Sequence, residues 1–311
     1  MSDLMIVIVV FIIWVGGVVL FSFVAEWRHP PTGRFIEIDN VRLHYIEQGP
    51  PDGDTVVLLH GNGAMIQDLA ISGIIGLLST SYRVICFDRP GFGYSSRPRF
   101  AIWTPDAEAE LFAGAFKTLS IQNPIIVGHS WGTLVALALG LRLQEEVKGL
   151  VLISGYYFPT MRRDVWFMSG PAVPVFGDIL RYTLAPIIGW LISGKVIEKI
   201  FAPEPVPVKF ISDFPISLAL RPKQLRAAAE EAALMIPSAA QLQMRYESLH
   251  CPIVIICGAG DEVVRPEQAA RLKDLLPRAT LHALPASGHM LHHSHQQTVV
   301  DAVRHASTGP G

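Results

Sequence analysis

The chain is poor in cysteine, with three in 311 residues: Cys86, Cys251 and Cys257. An odd count, with two members in apolar runs (VICFD and IVIICG), argues against a disulfide framework and reads as buried, reduced thiols. No CxxC pair and no Cys/His group at zinc-ligand spacing is present, so neither a metal nor a cofactor is expected. Charge is also sparse. Asp, Glu, Lys and Arg make up 17% of the chain, the net charge is −2 and the pI is near 6.6. There is no run of five basic residues, and a nucleic-acid binder would normally carry a basic stripe, so no nucleic-acid partner is expected. Internal repeats and low-complexity segments are absent. Half of the residues are apolar, which is enough for a sizeable core.

The longest stretch without charge is Leu4 to Ala25, LMIVIVVFIIWVGGVVLFSFVA. At 1.5 Å per residue it spans about 33 Å, against a bilayer core of about 30 Å. A secretory signal would want a basic leading region and small residues before the cut. Here no Lys or Arg precedes Arg28, and a cut after Ala25 would leave Phe23 at the −3 position. A buried core helix would show a polar stripe, which this segment lacks. Residues 4–25 are therefore expected to contact the membrane as an uncleaved anchor. Arg28 and Arg34 follow the segment and Asp3 precedes it, so the remainder is expected on the cytoplasmic side.

Past a linker, His29 to Arg34, short apolar runs alternate with helical patterns. Arg34–Ile38 and Val41–Glu47 alternate apolar and polar residues around Asp39-Asn40, a hairpin pattern. TVVLLH (55–60), RVICF (83–87), PIIV (124–127), VKGLVLIS (147–154) and IVIIC (253–257) are continuous runs. Such runs suit strands covered on both faces of a parallel sheet. Helices are predicted at Asp106–Leu119, behind Thr104-Pro105, at Trp131–Leu143 and at Pro266–Leu276. The alternation argues an α/β sheet. Residues 156–245 break it. They hold apolar helical material and an Ala-rich helix, Lys223–Met235, with no convincing strand. An all-helical insert between two core strands reads as a cap over a site.

The chemistry concentrates in Gly128-His129-Ser130-Trp131-Gly132, which ends an apolar strand and opens an Ala/Leu-rich helix. In that frame GxSxG makes a sharp turn that lifts a serine hydroxyl clear of the backbone, and bulkier residues at the glycine positions would collide. The helix start adds a positive dipole where an oxyanion would form. His60-Gly61-Asn62-Gly63 follows the strand TVVLLH. An oxyanion needs two N–H donors: Trp131, after the serine, and Asn62 in this loop are the candidates.

A serine needs a base. His289, in Ser287-Gly288-His289 after the expected last strand Thr280–Leu284, is the choice among eleven histidines. His292, His293 and His295 are rivals by proximity but fall at the start of the final helix, where a solvated face or local packing fits them better. His129 reads as packing and His60 as a loop hydrogen-bonder. The base in turn needs a carboxylate. Asp261 follows the strand PIVIICGAG, at a strand's C-terminal end, with Glu262 as its neighbouring rival. The end of the preceding strand, Leu150–Ser154, offers no acid. Asp88, in DRPGFGYS (88–95), reads as a carboxylate that ties down a Gly/Pro turn.

Together HGNG (60–63), DRPGFGYS (88–95), GHSWG (128–132), GAGDEVV (258–264) and SGHM (287–290) resemble the α/β-hydrolase superfamily over about residues 34–305. The resemblance implies an α/β-hydrolase fold: a mostly parallel eight-stranded sheet, flanked by helices, with a helical cap after the sixth strand. The expected organisation is an anchor at 1–27, a core at 28–155 and 246–311, and a cap at 156–245. It also implies an oxyanion hole at Asn62 and Trp131. Haloalkane dehalogenases and epoxide hydrolases look similar but carry Asp at the position of Ser130. GHSWG is also similar to the nucleophile turn of proline iminopeptidases. The expected activity is a serine esterase on small acyl substrates, apolar ones favoured, through a Ser130–His289–Asp261 triad. Carbon–carbon bond hydrolysis, perhydrolysis, aminopeptidase activity and non-catalytic ligand binding on the same fold are the alternatives.

Overall fold

The computed structural model describes residues 2–308. The N-terminal helix α1 (Asp3–Arg28) precedes an antiparallel hairpin, β1 (Arg34–Ile38) and β2 (Val41–Gln48). Asp39 and Asn40 both take positive φ, 48° and 63°, the conformation that a two-residue hairpin turn with the right twist demands. Then follow β3 (Thr55–Leu59), α2 (Ile66–Ser72), α3 (Ile74–Leu78), β4 (Arg83–Phe87), α4 (Pro105–Thr118), β5 (Ile125–His129), α5 (Trp131–Leu143) and β6 (Gly149–Ile153). Six helices come next: α6 (Arg163–Met168), α7 (Phe176–Arg181), α8 (Ala185–Phe201), α9 (Val208–Asp213), α10 (Ile216–Ala219) and α11 (Pro222–Leu242). The chain closes with β7 (Ile253–Gly258), α12 (Glu267–Leu275), β8 (Thr280–Leu284) and α13 (Gln296–Thr308).

The eight strands form one sheet in the order β1-β2-β4-β3-β5-β6-β7-β8, parallel from β4 to β8. This is the α/β-hydrolase fold. Every residue of β3, β5, β6 and β7 is buried, because helices cover both faces. Leu59, Ile126, Leu152 and Ile255 face a layer that includes α4 and α5. Val56, Leu58, Val127 and Ile256 face α2, α3 and α13. Each such side chain contributes about 1.5–3 kcal/mol on burial. Helix α4 starts as expected: Thr104 Oγ1 accepts from Ala107 N–H at 3.2 Å ahead of Pro105.

The strand order reverses at β3, which lies between β4 and β5. Open α/β sheets form a crevice at such a switch point, beyond the carboxyl ends of the strands. Leu59 pairs with Gly128, so His60-Gly61-Asn62 and His129-Ser130 emerge side by side there.

Helix α11 is longer than the Lys223–Met235 pattern, because it runs through Pro237 to Leu242. Helices α2 and α3 carry no strong periodic pattern and were not expected. His292 and His293 lie in a short 3-10 turn before the last helix and are buried, so a solvated face does not describe them. All three cysteines are free, and Cys86 and Cys257 are buried. Helix α1 is long and apolar enough to cross a membrane by length and composition, and most of it is uncovered.

Gly149 abuts α13: a Cβ there would collide with the Ala306 carbonyl. Gly149→Ala is expected to destabilise by about 1–3 kcal/mol in urea unfolding. Gly76→Ala, at an exposed position of α3 with nothing within 4 Å of the added methyl, is expected to stabilise by about 0.5–1 kcal/mol.

Candidate active site

Ser130 sits between β5 and α5 with φ 53° and ψ −118°, a conformation that costs a non-glycine residue about 1–3 kcal/mol. The surroundings enforce it. Ser130 N–H donates to Ile153 O at 2.9 Å, and its own carbonyl accepts from Thr133 N–H (3.0 Å) and Thr133 Oγ1 (2.6 Å). A Cβ on Gly128 would strike the Gly132 carbonyl, and one on Gly132 would strike that of Leu59. Glycine at both places lets α5 fold back onto β5 and β3. Ser130 itself remains partly exposed at the tip of the turn.

The loop after β3 lies against this turn. An added Cβ on Gly61 would stand 3.1 Å from Ser130 Cβ and 3.0 Å from His129 Nδ1. The loop closes with Ala64 N–H donating to Gly61 O at 3.4 Å, and Asn62 Nδ2 donates to Ala228 O of α11 at 3.0 Å. Trp131 is the first residue of α5, where a backbone N–H has no intrahelical acceptor. The Gly61 end of the loop thus lies beside Ser130, and Trp131 follows it directly in the chain.

Asp261 follows β7 and is buried. Its Oδ1 accepts from Val263 N–H (2.8 Å) and Val264 N–H (2.9 Å), leaving Oδ2 for His289 Nδ1 at 2.8 Å. Two backbone donors hold the carboxylate, and the carboxylate holds the imidazole. Glu262 points to solvent. Gly258, Gly260 and Gly288 allow the two loops to meet: Gly260 N–H donates to Ser287 O at 3.0 Å. A Cβ on Gly288 would run into Ala202 O at the end of α8. His289 reaches the serine turn through its neighbour, since His129 Nε2 bonds to the His289 carbonyl at 3.1 Å with the rings 5.0 Å apart. Burial, then His292 and His289, hold His129 well below the usual imidazole range, so it is neutral.

The other candidates serve the framework. Asp88 Oδ1 accepts from Ile66 N–H (2.9 Å), while Oδ2 accepts from Tyr94 N–H (2.9 Å) and pairs with His44 Nδ1 (2.6 Å). It ties the 88–95 turn to β2 and α2. His60 bonds Gly61 O through Nδ1 (2.7 Å) and accepts from Arg89 N–H through Nε2 (3.0 Å). Burial and then Arg89 lower its pKa to about 3. His292 and His293 both pair with Asp68, at 3.2 and 2.8 Å. His295 bonds Ser287 Oγ at 2.6 Å.

Two features escape sequence reasoning. Asp68, His129 and His292 bring three possible metal-ligand atoms within 4.8 Å of one another. Both Asp68 oxygens are already engaged by imidazoles, so an ion there would compete with those bonds. The second feature is Arg89, fully buried beneath the loop after β3. It donates to His60 O (2.8 Å) and Gly61 O (3.1 Å), to Glu108 of α4 (3.1 Å) and to Glu231 of α11 (2.5 and 2.9 Å). Trp131 Nε1 also points to Glu108, at 3.4 Å. Arg89 lies in a Gly/Pro turn and Glu231 in an Ala-rich helix, so no local pattern marks the pair.

The chain belongs to the alpha/beta hydrolase family, whose sequence model matches residues 56–302, and it is a hydrolase. It is 28% identical over 266 residues to the uncharacterized hydrolase YugF of Bacillus subtilis (strain 168), covering 84% of this chain and 92% of that one. It is 29% identical over 280 residues to the 2-hydroxymuconate semialdehyde hydrolase of Pseudomonas sp. (strain CF600), covering 85% and 90%. Among solved structures it is similar in fold to a membrane phospholipase A described as a bacterial virulence factor, with TM-score 0.64 and 22% identity over 98% of this chain and 99% of that one.

Glu231 carries a pH signature. Burial outweighs the Arg89 guanidinium, and with Glu108 nearby its pKa rises to about 7. A carboxyl raised in the folded state binds its proton more tightly folded than unfolded. Its contribution is therefore full below its unfolded value of about 4.3 and is lost as pH rises toward 7. Melting temperature is expected to fall between pH 5 and 7 for this reason, and Glu231→Gln is expected to flatten that slope.

Proposed function

We propose that the chain is a serine hydrolase of carboxylic esters with an apolar acyl group. Ser130 is the nucleophile, His289 the base and Asp261 its orienting carboxylate, with the Asn62 and Trp131 amides as the oxyanion hole. The observation that carries this reading is the Asp261–His289 hydrogen bond of 2.8 Å in loops that bond to the strained Ser130 turn. Ser130 Oγ attacks the acyl carbonyl as His289 takes its proton. The two amides stabilise the oxyanion, and His289 returns the proton to the leaving alcohol. His289 then activates water to release the acid. Asp261 keeps the imidazole proton on Nδ1, so Nε2 is free to accept.

Residues 156–245 serve as a cap, whose helix α11 reaches the oxyanion loop through Ala228 and Glu231. Helix α1 serves as a membrane anchor, with Arg28 and Arg34 favouring the cytoplasmic side for the hydrolase domain. The relative named for 2-hydroxymuconate semialdehyde favours a second reading, carbon–carbon bond hydrolysis of such a substrate by the same serine. That substrate carries a carboxylate, whereas Arg89, the buried cation beneath the site, is already held by Glu108 and Glu231.

An acyl-chain-length series of esters tests the proposal. Turnover is expected on esters and to rise with chain length, and Ser130→Ala is expected to lower it by at least about 10³-fold. Turnover of ring-fission products without ester turnover would favour the second reading. Cleavage of the 28–311 domain by protease added outside intact cells would contradict the cytoplasmic side.

A further inference from the structure

Helix α1 is locked to the domain at two levels. At its root, Arg221 Nη1 donates to Glu26 Oε1 at 2.6 Å and Lys223 Nζ lies 3.4 Å from the same oxygen. The Tyr94 hydroxyl donates to the His29 carbonyl, and Ala25 packs with Met65 and Leu218. Half a helix further out, Trp14 Nε1 donates to the Thr183 carbonyl between α7 and α8, at 3.2 Å. With contacts at both levels, the axis of α1 sets the orientation of the domain in this structure.

Trp14 lies ten residues, about 15 Å, from Leu4, near the middle of the charge-free run of about 33 Å. If α1 crosses a bilayer core of about 30 Å, Thr183 stands at hydrocarbon depth. The surface there suits that solvent. Leu184, Ile187, Ile188, Trp190 and Leu191 are exposed, Leu191 by 75%, and no charge occurs from Tyr182 to Gly194; the nearest charges, Asp178, Arg99 and Arg181 at the α7 edge, pair with one another. The hydroxyls on this face are satisfied within their own helices: Thr183 Oγ1 donates to Ile179 O (2.6 Å) and Ser193 Oγ to Trp190 O (2.8 Å). In hydrocarbon they must be. Lys195 and Lys199 then mark where α8 would return to the headgroups. Helix α8 ends at Phe201, where the Ala202 carbonyl packs on Gly288, next to His289.

We propose that the exposed face of α8 and the turn before it are immersed among lipid acyl chains beside α1, and that the site draws its acyl ester substrate from the bilayer. The surface rests on the α1 anchor, and the substrate class rests on the ester reading above.

The test uses the full-length chain in phosphatidylcholine vesicles, with a bimane label at Leu191→Cys or, as control, at Asp274→Cys, an exposed position of α12. The label at 191 is expected to be quenched by acyl-chain doxyl lipids and shielded from aqueous iodide, and the label at 274 the reverse. Equal iodide quenching at both sites, or release of the chain from vesicles by alkaline carbonate, would overturn the proposal. The full-length double variant Ile188→Asp/Leu191→Asp is expected to lose at least about 10-fold in hydrolysis of vesicle phospholipid while keeping its rate on a monomeric short-chain ester. Unchanged rates on both would also overturn it. Immersion at 191 without turnover of any ester by the unmodified chain would leave the surface standing and remove the ester reading.

Discussion

Everything at the centre of this molecule depends on one strained residue, Ser130, held at φ 53° in the turn from β5 to α5. The strain is possible only because Gly128 and Gly132 let three backbone segments touch where any side chain would collide. It is maintained because β6 takes the Ser130 N–H and Thr133 takes its carbonyl. The serine therefore cannot relax without breaking the sheet beside it. Its hydroxyl is presented at the switch point of the strand order, between the ends of β3 and β5, where the Gly61-Asn62 backbone also arrives.

A second constraint is the buried Arg89 cluster. One guanidinium binds the carbonyls of His60 and Gly61, a glutamate from α4 and a glutamate from α11. Losing one partner of such a buried pair typically costs about 3–5 kcal/mol, so the loop after β3 and α11 hold each other in place. Glu108 extends the cluster to the indole of Trp131. The two amides proposed to bind the oxyanion are thus braced from below by the same carboxylates. Through Glu231, that bracing is sensitive to pH near neutrality.

Much of this was legible in the sequence because it is local. Five strands appear as continuous apolar runs, β1 and β2 as an alternating hairpin, and β8 falls on Thr280–Leu284 as read. GHSWG, the Gly-flanked His289 and the strand-end Asp261 stand out by position along the chain, and it is Asp261 that bonds His289 while Glu262 faces water. What stayed hidden is long-range or aperiodic. Arg89 meets Glu231 across 142 residues, and Asp68 meets His293 across 225. Neither pairing leaves a pattern in its own segment, so for the two histidines the sequence leaves a solvated face and local packing both open, and burial selects packing. Helix α11 overran its expected end because tertiary packing tolerates Pro237 inside it. The hydrogen bond of Trp14 to the Thr183 carbonyl, which links the apolar N-terminal helix to the turn before α8, is likewise invisible until the chain is folded.

The central claim is that the Ser130 turn and the Asp261–His289 pair act as one catalytic unit. Its most direct measurement is fluorophosphonate labelling of the intact chain, followed by peptide mass spectrometry. The account predicts a single phosphonyl adduct on Ser130, absent in Ser130→Ala and slowed by at least about 10³-fold in His289→Ala. A folded chain that takes no adduct, or takes it at another residue with Ser130 untouched, would contradict it.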